Sequence, residues 1–87
     1  MSESQLGLVR TEINRGIALC EVAEEGYRLQ NYSSASDARK RANKAYVEAR
    51  KLLDGVNGSA ANELRMDLDR LQVCLVKLTR LTTIDQQ

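Results

Sequence analysis

Apolar residues recur at helical spacing in three blocks along this chain, separated by short polar turns. The third block shows it best: Leu64, Leu68, Leu71, Leu75 and Leu78 alternate at steps of four and three, which puts them on one face of a helix. The first block carries Leu6, Val9, Ile13, Ile17, Cys20 and Tyr27 on one stripe, with small Gly16 and Ala23 between them. In the middle block the apolar side is mostly alanine: Ala35, Ala38, Ala42, Ala45 and Ala49, with Tyr46, Leu52, Leu53 and Val56. Alanine lets neighbouring helices approach closely.

The punctuation gives the boundaries. Helix 1 is expected over about 3–30, ending at Asn31-Tyr32-Ser33-Ser34. Ser34 is the candidate N-cap of helix 2, with Asp37 three residues later completing a capping box in place of the usual Glu. Helix 2 then covers about 35–54 and stops at Gly55-Val56-Asn57-Gly58, since glycine tolerates the left-handed conformation that ends helices. Ser59 is the next candidate cap, helix 3 covers about 60–82, and Thr83–Gln87 are expected to fray. Three long helices with short connections imply antiparallel neighbours: an all-α, up-down-up three-helix bundle in a single domain, 1–87. The same pattern leaves open a straightened helix pair in an intertwined dimer. In the bundle, Leu68, Leu71 and Leu75 should be nearly fully buried.

Composition narrows the function more by exclusion than by suggestion. Proline is absent, which suits long uninterrupted helices, and hydrophobic residues at 43% against charged residues at 29% describe a globular chain. No stretch approaches the roughly 20 apolar residues of a membrane span. The first residues lack the basic-then-apolar pattern of a secretory signal, so a cytoplasmic location is expected. Histidine is also absent, removing the commonest general base and metal ligand. Cys20 and Cys74 are too few and too far apart for a zinc site or a disulfide framework, and read as small buried hydrophobes. They would sit at similar heights if helices 1 and 3 run parallel. No catalytic, cofactor or metal constellation emerges, and a non-enzymatic role is expected.

The segment Leu19…Ala23…Asn31-Tyr32-Ser33-Ser34-Ala35…Ala42 resembles the helical hairpin of a tetratricopeptide repeat, where a small residue of the first helix meets a Tyr-x-x-Ala in the second. It is also similar to the opening of MIT (microtubule-interacting and trafficking) domains, three-helix bundles of about this size. Arg39 stands where both families usually have an apolar residue. The resemblance implies binding of a peptide or a helix.

Three charged or apolar features remain once the core has been assigned. Glu21, Glu24 and Glu25 cluster near the end of helix 1, with Glu24 and Arg28 in ion-pairing register and Glu24 at the core edge. Helix 2 carries Arg39, Lys40, Arg41, Lys44, Arg50 and Lys51 against the single acid Glu48. Arg39, Lys40, Lys44, Arg50 and Lys51 spread with Asn43 and Val47 over about 140° opposite the alanines. That face could take phosphates or an acidic partner, although no aromatic residue interleaves it to stack on bases. A solvated outer face is the plainer reading.

The third feature is surplus apolar surface. Leu8, Leu19, Val22 and Leu29, with Ala18 and Gly26, fall on the side of helix 1 roughly opposite its core stripe, interrupted by Arg15. Met66, Val73 and Val76 lie away from the leucine seam of helix 3. A small bundle buries one broad stripe per helix, so these residues are the candidate surface for a second copy or another protein's helix. A protein-interaction or assembly module is therefore expected, with binding of nucleic acid or an acidic partner through helix 2 as the competing reading.

Overall fold

The computed structural model describes the backbone of residues 3–85 and the side-chain surroundings of residues 5–81. It contains three helices: α1 (Glu3–Arg28), α2 (Tyr32–Leu53) and α3 (Ser59–Asp85). They pack side by side into a rod of 45 × 17 × 15 Å, a little longer than the roughly 39 Å of a 26-residue helix such as α1. The topology is up-down-up. Gly26 and Gly16 of α1 meet Ala35 and Ala45 of α2 in reversed order, whereas Gly16 and Glu24 meet Leu71 and Lys77 of α3 in the same order.

The first turn is sharper than expected. Gln30 takes a left-handed backbone (φ 62°), and two bonds close the helix end: Gln30 N–H to Tyr27 C=O at 3.2 Å and Asn31 N–H to Gly26 C=O at 2.7 Å. That pair of bonds is a Schellman ending. The chain re-enters a helix at Tyr32, and Ala35 N–H already donates to Asn31 C=O at 3.0 Å. Ser34 is thus inside α2 rather than its N-cap, and Asp37 pairs with Arg41 at 3.2 Å instead of closing a capping box. Backbone bonds close the end of α1, and Asn31 takes the N-cap position of α2 without a side-chain cap bond.

At the second turn, Gly55 and Gly58 both take positive φ (76° and 120°), in line with the expected stop. The Arg65 guanidinium reaches back to the carbonyls of Leu53, at 3.0 Å, and Val56, and also to Asn62 Oδ1 at 2.9 Å. It ties the Leu53 carbonyl at the end of α2, which also accepts from Val56 N–H at 3.1 Å, and the Val56 carbonyl of the loop to the start of α3. Helix α3 runs on to Asp85, past the expected end near 82; Gln86 and Gln87 lie outside the described residues.

The core joins Val9, Ile13, Cys20 and Tyr27 of α1 to the α2 alanines with Leu53, and to Leu64, Leu68, Leu71 and Leu78 of α3. Leu75 is only half-buried, against the expectation for it. It lies beside Arg39, Lys40, Asn43 and Thr79 in a cleft between α2 and α3. Long polar side chains hold those two helices apart, and the leucine at their edge keeps some access to water.

Candidate functional site

A groove of about 740 Å³ runs between α1 and α2 on the side away from α3. Its apolar wall comes from Leu8 and Leu19, with Ala45 and Leu52 contributed by α2. Its charged positions are Glu12, Arg15, Arg41, Lys44 and Glu48. The groove exists because alanine and glycine bring the helix backbones together along their buried sides. The larger residues at their outer edges then stand up as two ridges.

Of the residues singled out on helix 1, Leu8, Ala18 and Val22 are exposed on α1, and Leu29, 64% exposed, lies in the turn after it. Gly26 is instead buried against Ala35 of α2 and belongs to the core side. Leu19 is different: it is half-buried and packs against the core. It sits about 80° from the centre of the buried stripe, on the side facing α2. Close α1–α2 packing widens the buried arc as far as this residue. Leu19 is therefore the floor of the groove rather than part of an outer face.

On α3, Met66, Val73 and Val76 are exposed, with Met66 and Val73 at 67% and 69%. Met66 and Val73 lie roughly opposite the buried leucines of their helix. The structure thus does not bring the α1 and α3 residues together. One set borders the α1–α2 groove and the other is on the far back of α3.

The basic residues of α2 are also divided. Arg39 and Lys40 lie beside Leu75, Arg50 lies beside Asp54 and Asp69, and Lys44 lines the α1–α2 groove. Lys40, Lys44 and Lys51 make no ion pair among the described residues. Lys40, Lys44 and Lys51 are exposed and lie within about 40° of one another on the outward side of α2, while Arg39 and Arg50 turn toward α3.

A fourth cluster was only partly visible in the sequence. Cys20 is buried, and the Cys74 thiol donates to Glu24 Oε1 at 3.4 Å. Glu24 also pairs with Lys77 of α3 at 3.6 Å. Arg28 bonds to Glu25, not to Glu24 as its spacing suggested, because Glu24 is turned toward α3. Burial and the adjacent Cys74 thiol push Cys20 up to about 12, and burial followed by the Glu24 carboxylate raises Cys74. Both are free thiols with little thiolate at neutral pH, the opposite of a nucleophilic cysteine. Among the described residues, no group of three or more Cys, Asp or Glu side chains is placed to hold a metal ion, and no helix is long and apolar enough to cross a membrane.

Comparison with known protein families, curated proteins and solved structures gives no match. The functional reading rests on the molecule's own surfaces.

Proposed function

We propose that this protein is a non-enzymatic interaction or assembly module that associates through the outer apolar residues of α1 and α3. One observation carries the reading. Leu8 and Val22 stay exposed on α1, and Leu29 in the turn directly after it, beside a helix whose opposite side already supplies the core. Single exposed leucines are ordinary, but an aligned set beside a preformed groove resembles a seat for another helix. The hairpin resemblance to tetratricopeptide and MIT units, which take peptides or helices, points the same way. A cytoplasmic location belongs to the same reading.

The competing reading is a binder of nucleic acid or an acidic protein through α2. The unpaired lysines Lys40, Lys44 and Lys51 favour it. The division of the basic residues between two clefts counts against it.

Photo-cross-linking inside cells separates the two. A diazirine amino acid at Val22 should give adducts of higher mass, whereas one at Lys40 should give none. Adducts from Lys40 alone would transfer the function to the basic residues of α2, and no adduct from Val22 would contradict the module.

A further inference from the structure

The exposed faces of α1 and α3 are complementary to each other, not merely apolar. On α1 the outward seam steps by three and four through Leu8, Thr11, Arg15, Ala18 and Val22, all exposed. On α3 it steps by four and three through Asn62, Met66, Asp69, Val73 and Val76, again all exposed. Each set of five seam positions includes one charged residue, Arg15 on α1 and Asp69 on α3, opposite in sign. Asp69 makes no ion pair among the described residues, and Arg15 has only an exposed i,i+3 contact to Glu12 at 3.6 Å.

We infer that the occupant of the α1 face is the α3 face of a second copy of this chain, laid antiparallel, so that Arg15 meets Asp69. This rests on the interaction-module reading and specifies its partner. The antiparallel register that joins those two charges also places Leu8 over Val76 and Thr11 over Val73 of the second copy. Ala18 then meets Met66, a small residue against a long flexible one, and Val22 comes over Asn62 at the start of α3. Knobs of one seam fall into the holes of the other, as two helices with alternating three- and four-residue steps require. Beyond the overlap, Glu25 comes beside Ser59, at the N-terminal end of α3, where a helix dipole favours a carboxylate.

The positions of the two faces decide the type of assembly. Leu8 and Arg15 of the α1 seam border the groove with α2, whereas Met66 and Val73 of the α3 seam lie on the back of their helix and Asp69 lies at its edge toward the α2–α3 cleft. One pair of molecules therefore joins a single α1 to a single α3 and leaves one face of each kind free. The contact is head-to-tail, and assembly continues with concentration instead of stopping at a symmetric dimer.

Sedimentation velocity on the full chain tests this, with melting temperature as the check on folding. Wild type should pass beyond dimer between about 10 µM and about 1 mM. Leu8→Gln, Val22→Gln removes one face and Met66→Gln, Val73→Gln removes the other, so each double variant should be monomeric alone. Mixed together, they should form a one-to-one dimer that grows no further, because one intact face of each kind remains. Arg15→Asp or Asp69→Arg should each weaken association about tenfold, and the two combined in one chain should restore most of it.

A wild type that stays monomeric throughout overturns the inference, while cross-linking from Val22 still decides whether the module has a foreign partner. A Met66→Gln, Val73→Gln protein that dimerises as wild type does would also overturn it, in favour of symmetric α1–α1 pairing. Failure of the doubly charge-swapped chain to recover contradicts the antiparallel register and the inference with it.

Discussion

Helix α2 has two interfaces of different character. Against α1 it presents alanine to glycine and alanine, and the backbones come so close that a Cβ added at Gly26 would stand 2.8 Å from Ala35 Cβ and 3.1 Å from its Cα. Against α3 it presents Arg39, Tyr46 and Arg50, and Leu75 on the facing helix keeps partial access to water. The difference shows how a chain almost without aromatic residues makes a bundle. A tight hairpin of small residues forms one rigid unit, and the leucines of α3 seal against it mainly through α1. Such a hairpin has little width to bury anything else, which leaves the outer residues of α1 in solvent.

The largest effect should come from the leucine at the centre of that seal. Leu71→Ala is expected to cost about 2–5 kcal/mol in denaturant unfolding, and Leu75→Ala at the open edge about 1 kcal/mol. Equal costs would mean that α2 and α3 close more tightly in solution than this contrast implies. Next comes the hairpin itself. Gly26→Ala should cost about 1–3 kcal/mol, because the atoms it meets include the Ala35 backbone and cannot yield. Gly16→Ala should cost less, although its nearest contact is shorter at 2.6 Å, since the atom there is a methyl of the flexible Leu71 side chain. A reversed order would undo the claim that α1–α2 is the rigid interface.

A pH effect follows from the α1–α3 cluster. The Cys20 thiol titrates at about 12 when folded, above the roughly 8.5 of an unfolded chain. The folded state therefore holds a proton that the unfolded state has lost. Stability is unaffected below the unfolded value and falls as pH rises between the two, by at most about 1.4 kcal/mol per pH unit from this group. The measurement is the alkaline limb of the stability curve, which Cys20→Ala should flatten; an unchanged slope would place the thiol in water. The smallest effect is expected at Ser34, where Ala should change stability by less than about 0.5 kcal/mol, against about 1 kcal/mol for a true N-cap. A loss of the larger size would mean that α2 begins at residue 35 after all.

The periodicity made the three helices and nearly all of their buried residues legible, because a helix with one wet side must repeat its apolar positions every three or four residues. It erred where tertiary contacts set the outcome. Ser34 has the chemistry of a cap, but the backbone bonds around Gln30 close the turn without it. Leu19 lies off the core stripe on a helical wheel, yet the thinness of α2 extends burial to its side. Arg65 carries no signal in the periodicity, since its carbonyl partners, at the end of α2 and in the following loop, are not on its own helix wheel. The candidate surfaces were legible as residues but not as places. Only packing shows that the α1 and α3 sets occupy different sides, and that the basic residues of α2 are shared between two clefts.

The most direct test of the account is methyl NMR of the wild-type protein across a concentration series. Concentration-dependent shifts are predicted for the methyls of Leu8 and Val22 on α1 and of Met66, Val73 and Val76 on α3, with those of Ile13, Leu64 and Leu71 unmoved. Spectra that do not change with concentration, or changes confined to the core methyls, would contradict it.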